Sequence, residues 1–163
     1  MKKYELLSLS DEELLRQCRF EARRGTGPGG QKRNKTSTAT RVTHEPTGLT
    51  ATDDVTRSQH QNLAHALMKL RCEIAVKKPA EADENAPEIP LDAIPKATRP
   101  EFAIWLAKIF DALQAHDFNM AESANALGLS SGAQLTRLLS KEDLAWQKLA
   151  EARQRLKLPP LHK

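Results

Sequence analysis

Cysteine is scarce in this chain, and its two cysteines, Cys18 and Cys72, lie far apart in the sequence. Neither belongs to a Cys-x-x-Cys or His-x-x-x-His spacing, so the sequence predicts no zinc site and no disulfide framework. Isolated thiols of this kind are typical of small buried hydrophobic side chains in a reducing compartment.

Long hydrophobic runs are absent as well. The segment MKKYELLSLSDEELL turns acidic before any extended apolar run, unlike a signal peptide. No stretch approaches the roughly 18 apolar residues that a bilayer-spanning helix needs. The sequence therefore predicts a soluble, cytoplasmic protein without a membrane span.

Acids, bases and thiols are missing from the most unusual stretch of the chain. Residues 22–43 contain no Asp, Glu, His or Cys. The same stretch holds four of the chain's seven glycines within residues 25–30, followed by Gln31 and a run of cations. The loop thus looks like an active-site loop but carries no carboxylate, imidazole or thiol.

Positive charge is concentrated around this loop. The whole chain has a net charge of +4, whereas residues 15–41 hold eight Lys and Arg against Glu21 alone, a balance of +7. The last sixteen residues hold five Lys and Arg against one acid, a balance of +4. Such clustering indicates an anionic partner, with a solvated surface as the alternative, above all for the tail.

Residues 1–76 combine strand and helix patterns. Ser10 and Glu13 form a capping box that predicts a short helix through about Gln17. The alternation in CRFEAR predicts a strand with Phe20 on its buried face, and TSTATRVTH and LTATDDV predict two more strands joined by the turn HEPTGL. From Arg57 onwards apolar residues recur at helical spacing, namely Leu63, Leu67, Leu70 and Ile74. We predict an α+β domain in which one long helix covers a small antiparallel sheet.

The remainder divides into a linker and a helical unit. Residues 77–99 contain four prolines and five acids, which predicts an extended linker. Residues 100–163 are predicted to be all helical, with Pro100 at the first position of a helix whose buried stripe is Phe102, Leu106, Ile109 and Leu113. Asn119 and Gly128 are predicted to cap the next helix. A helix over 131–139 follows, and then one from residue 141 with Leu144, Leu149 and Leu156.

The segment AESANALGLSSGAQLTRLL partly matches a helix-turn-helix. Leu135 falls one position late, however, and the presumed recognition helix has only Arg137 as a cation. A nucleic-acid-binding unit and a plain helical packing unit therefore both remain open. Trp105, Phe110 and Trp146 are predicted to be core residues.

Known phosphate-binding loops do not account for the glycines. Gly25 and Gly30 have the spacing of a P-loop, but Gln31 stands where that motif requires lysine. Gly25, Gly27 and Gly30 also spell the dinucleotide-binding pattern, which requires a helix directly afterwards. The segment QKRNKTSTATRVT has no apolar stripe and is a poor helix, so dinucleotide binding is rejected.

Residues 18–71 carry several motifs in a fixed order. The loop contains T-G-P-G-G-Q and continues with N-K-T-S, H-E-P-T-G and R-S-Q-H-Q-N. This combination closely resembles the GGQ domain of peptide chain release factors and of the small ribosome-rescue peptidyl-tRNA hydrolases. A lone GGQ would be a weak signal, but the ordered set is specific and covers about a third of the chain.

The resemblance implies that the loop enters the peptidyl transferase centre of the large ribosomal subunit and promotes hydrolysis of peptidyl-tRNA. Gly29 and Gly30 would allow a backbone conformation that a Cβ forbids. The backbone N–H of Gln31 would face the oxygen that becomes charged, and the Gln31 side chain would help admit water and exclude larger nucleophiles. One such donor contributes about 2.7–4 kcal/mol, so no acid or base is required. The resemblance implies no metal and no cofactor.

The resemblance also assigns the cations to phosphates of ribosomal RNA. For the second signature, which comprises Arg57, Ser58, Gln59 and Asn62, holding the sheet to the helix is at least an equal alternative to touching RNA. His44, His60 and His65 are predicted to be structural or surface residues. The predicted RNA-binding residues are Arg23, Arg24, Lys32, Arg33, Lys35, Arg41 and Arg57.

Three departures from the family pattern refine the predicted function. Lys32 and Arg33 follow the GGQ where the family often has His-Val or Asn-Val. Only seventeen residues precede the resemblance, too few for a stop-codon-reading domain, and a slightly acidic segment follows the first domain in place of a basic tail. We predict a monomeric, codon-independent rescue hydrolase. A non-catalytic ribosome- or RNA-binding regulatory module is the alternative, and a DNA-binding regulator is a distant third.

Overall fold

A computed structural model describes residues 1–24, 38–83 and 86–162 of the chain. The chain forms two compact units, Met1–Ala86 and Pro87–Lys163. This division falls inside the segment 77–99 that the sequence assigns to a linker, and the extents of the three predicted segments remain a prediction. The α+β class is confirmed, because the first unit combines a sheet with a long helix and the second is built from helices.

The sheet of the first unit has three antiparallel strands in the order β1-β2-β3. They are β1 (Cys18–Arg23), β2 (Ala39–His44) and β3 (Thr50–Asp53). The predicted turn between the last two strands is present, and the amide of Gly48 donates to the carbonyl of His44 over 2.8 Å. Gly48 has φ +69°, a left-handed conformation that glycine adopts without a steric cost.

Three helices accompany the sheet, α1 (Lys3–Leu7), α2 (Asp11–Arg16) and α3 (Gln59–Lys77). The predicted capping box is confirmed, since Ser10 Oγ accepts from the Glu13 amide at 3.2 Å and Glu13 Oε2 accepts from the Ser10 amide at 2.9 Å. Helix α1 was not expected from the sequence. It buries Tyr4, Leu6 and Leu7 although it has only five residues.

The core of the first unit lies between α3 and the sheet. Leu67, Leu70 and Ile74 of the predicted stripe are buried, whereas Leu63 is half-buried. Helix α3 packs against β2 and β3, and α2 packs against β1. The expected burial of Phe20 is wrong, because this side chain is 42% exposed on an edge strand that the long helix does not cover.

The second unit contains α4 (Pro100–Ala115), α5 (Met120–Ala126), α6 (Gly132–Ser140) and α7 (Asp143–Arg155). Pro100 begins α4 as predicted, and the whole predicted stripe of that helix is buried. Trp105 is also buried, and its Nε1 donates to the carbonyl of Leu91 at 3.3 Å. This bond joins the end of the predicted linker to the helices.

The buried face of α7 differs from the predicted one. Leu149 is buried, but Leu144 is half-buried and Leu156 is 54% exposed. The helix ends at Arg155, and its buried face is formed by two alanines around Leu149, Ala145 and Ala152. Trp146 is half-buried rather than part of the core.

Candidate functional site

The glycine-rich loop leaves and re-enters the sheet at one end. Arg23 of β1 pairs with Ala39 of β2 as the last pair of the antiparallel ladder. Residues 24–38 connect these two positions, and Gln31 is the eighth of the fifteen. The two strands therefore hold both ends of the loop side by side. The predicted site residues Gly29, Gly30, Gln31, Lys32, Arg33 and Lys35 lie outside the described residues.

A buried side-chain amide fixes the end of the loop that leads into β2. Asn62 of α3 is fully buried, and its Nδ2 donates to the carbonyl of Thr38 at 2.7 Å and to that of Thr56 at 2.9 Å. Its Oδ1 accepts from the amide of Thr56 at 2.9 Å and from the Thr56 hydroxyl at 2.8 Å. Both polar atoms of the amide are thus doubly satisfied, as a buried polar group requires.

This hydrogen-bond network shows which residues of the second signature have a structural role. Asn62 cannot touch RNA, because it is enclosed between α3, the β3–α3 connection and the start of β2. Ser58 caps α3, its hydroxyl accepting from the Gln61 amide at 3.3 Å. Arg57 and Gln59 are exposed beside them, so an RNA contact remains a prediction for these two. The sequence pointed to Asn62 but did not reveal its partners Thr38 and Thr56.

The described cations of the predicted site divide into two groups. Arg23 and Arg41 lie on the same face of the sheet, because Glu21 shares a face with Arg23 and pairs directly with Arg41. Arg23 Nη2 donates to Glu21 Oε2 over 2.9 Å. Arg24 and Arg57 are exposed outside the strands. Arg23 is the last strand residue before the loop and Arg24 is the first residue of the loop, so both lie beside it.

Two histidines of the first unit have structural partners. His44 is buried, with Nε2 at 3.2 Å from Gln17 Oε1 and Nδ1 at 2.8 Å from Thr47 Oγ1, and burial lowers the pKa of its imidazole. His65 Nδ1 lies 3.2 Å from Asp53 Oδ2. His60 is exposed. These placements agree with the predicted structural or surface roles.

Asp53 is a buried carboxylate, and it is paired. Burial raises its pKa, but hydrogen bonds from Lys69 at 2.6 Å and from His65 outweigh this, so the pKa of Asp53 lies below its ordinary value. A carboxylate held in its charged form by two neighbours stabilises the end of β3 on α3. It does not have the raised pKa of a general acid.

The helical unit has the turn that the sequence indicated between two helices. Asn119 caps α5, and Gly128 has φ +72° just after that helix. A Cβ on Gly132 would lie 2.9 Å from the backbone nitrogen of Ala121, so the two helices approach each other closely there. Arg137 is the only cation within α6. Nucleic-acid binding by this unit remains open.

Over the ranges 1–24, 38–83 and 86–162, no cluster of three or more His, Cys, Asp or Glu could hold a metal ion. No helix in the same ranges is both long and apolar enough to cross a membrane.

Comparison with known proteins shows that the loop lies within a stretch that matches a protein-family profile. The profile of the RF-1 domain matches residues 11–96. Peptide chain release factor 2 of Paramagnetospirillum magneticum is 47% identical over 58 residues, which are 36% of this chain and 16% of that protein. Peptide chain release factor 1 of Brachyspira hyodysenteriae is 44% identical over 73 residues, 45% of this chain and 19% of that protein. A further release factor 1, from Leptothrix cholodnii, is 50% identical over 66 residues, 40% of this chain and 17% of that protein.

The chain thus aligns with less than a fifth of the length of these three relatives. No solved structure matches the chain significantly.

Proposed function

The chain belongs to the RF-1 domain family, and from this premise we propose that it hydrolyses the ester of peptidyl-tRNA on the ribosome. The observation that carries the proposal is the position of Gly29, Gly30 and Gln31. They occupy the middle of a loop whose two ends are held together by the β1–β2 ladder. Asn62 also holds the returning end through the Thr38 carbonyl.

Hydrolysis requires that water attacks the ester carbonyl and that the developing negative charge on its oxygen is stabilised. The backbone N–H of Gln31 supplies that donor, and Gly29 and Gly30 allow the backbone to present it. Removal of one preorganised donor costs a rate factor of about 10²–10³. The loop contains no acid or base, so the remaining polar groups come from RNA and substrate hydroxyls.

The partner follows from the charge around the loop. The sequence has three further cations between Arg24 and Arg41, namely Lys32, Arg33 and Lys35, and Arg23 directly precedes Arg24. A cluster of this kind binds phosphates without reading a base sequence. Large-subunit ribosomal RNA at the peptidyl transferase centre is the proposed anionic surface. The protein is proposed to act as a monomer.

Codon-independent rescue is the finer part of the proposal. The family match ends at residue 96, and the second unit is built from α-helices. We assign to the second unit a docking role rather than the reading of a stop codon, and we expect release from ribosomes whose mRNA ends before the next codon.

Release of labelled peptide from purified ribosome complexes tests the proposal. Complexes that carry truncated mRNA, a stop codon or a sense codon are compared with the full-length protein, Gly30→Ala and the control Gly48→Ala. The control introduces the same methyl group at a glycine of the β2–β3 turn, so it reports a loss of stability alone.

We expect release with truncated mRNA, loss of at least about 10²-fold for Gly30→Ala, and little loss for Gly48→Ala. Binding without release on all three complexes would overturn the hydrolase proposal in favour of a regulatory binding module. Release only at a stop codon would overturn the codon-independent part.

A further inference from the structure

The sheet of the first unit has one face that its helices do not cover, here called the outer face. Side chains alternate along a strand, and the register places those of one face in rows across the three strands. One row contains Glu21, Arg41 and Thr52, and the next contains Arg19, Thr43 and Thr50. The outer face thus consists of Arg19, Glu21, Arg23, Ala39, Arg41, Thr43, Thr50 and Thr52.

Burial separates this face from the opposite one. Thr40, Val42 and His44 of β2 are all at most 1% exposed, because they point towards α2 and α3. Arg41 and Thr43, which alternate with them, are half-buried. Two arginines of β1 are more exposed. Arg19, near its start, exposes 62% of its side chain, and Arg23, its last residue, exposes 55%.

The outer face has three arginines and one acid. Glu21 Oε2 lies 2.9 Å from Arg23 Nη2, and Glu21 Oε1 lies 3.4 Å from Arg19 Nε. Arg41 stands directly opposite the same acid, and its Nε has no hydrogen-bond partner within the described part of the chain. The face therefore keeps an excess of two positive charges, and Glu21 reduces that excess.

The other side chains of this face are small and polar. Thr43 Oγ1 and Thr50 Oγ1 are 3.0 Å apart, which confirms that the two strands present their hydroxyls together. None of the eight side chains is aromatic, so the face offers no stacking platform for bases. Guanidinium groups and hydroxyls are among the groups with which proteins contact nucleic-acid phosphates.

We propose that the outer face binds the phosphodiester backbone of RNA, and that Glu21 limits the strength of this binding. The proposal rests on the proposed function in one respect, since it takes ribosomal RNA as the surface on which the loop acts. Arg19 and Arg41 provide the charge and Arg23 joins the face to the loop. Binding is independent of base sequence, because nothing on the face reads a base edge.

Because Glu21 is proposed to weaken RNA binding, its replacement by glutamine should strengthen binding. Misfolding of the variant would not produce such a gain. Binding of the full-length protein to purified large ribosomal subunits is measured over a series of KCl concentrations for the wild type, Glu21→Gln and Arg41→Gln. The matched control is Glu12→Gln, which removes the same charge from an exposed position in the first turn of α2. Single-stranded RNA and poly-glutamate serve as two further probes.

We expect Glu21→Gln to bind subunits and single-stranded RNA more tightly than both the wild type and Glu12→Gln. Arg41→Gln should bind more weakly and should lower the slope of log affinity against log salt by roughly 0.7–0.9. Equal affinities of Glu21→Gln and Glu12→Gln would overturn the proposal. Binding of poly-glutamate as tightly as RNA would also overturn it, in favour of an acidic protein partner.

This test is separate from that of the proposed function. Binding to the subunits is measured without hydrolysis, so its result does not depend on whether the loop is catalytic. Tighter binding by Glu21→Gln together with no peptide release from any complex would retain the outer face and reject the hydrolase. Peptide release together with no effect of Glu21→Gln would do the reverse.

Discussion

The guanidinium of Arg71 in α3 lies 2.8 Å from the carboxylate of Asp11 in α2. The same fully buried side chain donates from Nη1 to the carbonyl of Leu7 at 3.0 Å and from Nη2 to that of Leu9 at 2.7 Å. One cation therefore ties the segment between α1 and α2 to the long helix. It does so 60 residues away in sequence from the acid that it meets.

Replacement of Arg71 by methionine should strongly destabilise the first unit. The Leu7 and Leu9 carbonyls would lose their donors, and each buried group left unpaired costs about 1–3 kcal/mol. We expect a loss of about 2–5 kcal/mol in the free energy of unfolding, measured by urea denaturation. Asp11→Asn is the comparison, and because the Asp11 side chain is 58% exposed it should lose less than about 1 kcal/mol. Similar losses for the two variants would contradict this view of the contact.

Asn62→Ala should destabilise the protein much more than the loss of an exposed amide on the same helix. It removes three hydrogen bonds with Thr56 and the donor to the Thr38 carbonyl, and we expect a cost of about 2–4 kcal/mol. Gln59→Ala removes an exposed amide at the start of α3 and should change the free energy by less than about 0.5 kcal/mol. Urea denaturation of both variants checks this, and a neutral Asn62→Ala would refute it.

His44 should make the protein less stable in mild acid. Burial lowers the pKa of the folded imidazole below its ordinary value of 6.5, so the unfolded chain takes up the proton more readily between the two pKa values. The contribution is therefore complete above about pH 6.5 and decreases as the pH falls towards the folded pKa. Urea denaturation over a pH series should show a shallower decrease for His44→Asn than for the wild type.

His60→Asn is the control for that series, because the ring of His60 is exposed. It should keep the pH dependence of the wild type. If the His44 and His60 variants had the same pH profile, the buried imidazole would not be the group that titrates.

Cys18 should react slowly in the folded protein. Burial, together with the charge of Glu45, raises the pKa of its thiol from 9.0 to about 11 in spite of Arg71 nearby. A rise of two units lowers the thiolate fraction at neutral pH by roughly 100-fold, and the thiolate is the reactive form. Alkylation by iodoacetamide, followed by mass spectrometry, should be slow in buffer and fast in urea. Fast alkylation of the native protein, with Cys18→Ser abolishing it, would contradict the raised pKa.

Local patterns predicted most elements of the fold, and tertiary contacts explain the differences. The capping box at Ser10 and the stripe of α4 depend on neighbours within a few residues, so the sequence contains them in full. Helix α1 has too few turns to show a period. The exposure of Phe20 depends on where α3 packs, and the buried face of α7 uses alanines, which hydrophobic patterns underweight.

The candidate site was predictable as a loop and as a second signature, but its supporting contacts were not. Asn62 reaches Thr38 across 24 residues, and no sequence spacing indicates that bond. In the sequence Arg71 cannot be distinguished from an exposed helix cation, because its partners, the Leu7 and Leu9 carbonyls, are far away along the chain. The outer face likewise requires the strand register, because Glu21 and Arg41 become neighbours only when β1 and β2 pair.

The pairing of Arg23 with Ala39 also sets a radius of action for the loop. Gln31 is eight residues from either partner, and an extended chain spans at most about 3.6 Å per residue, so its backbone can reach at most about 29 Å from the end of the ladder. Under the proposed function, any ester that is cleaved must lie within this distance of the sheet. An opening too narrow to admit β1 and β2 can then hold the ester no deeper than this reach.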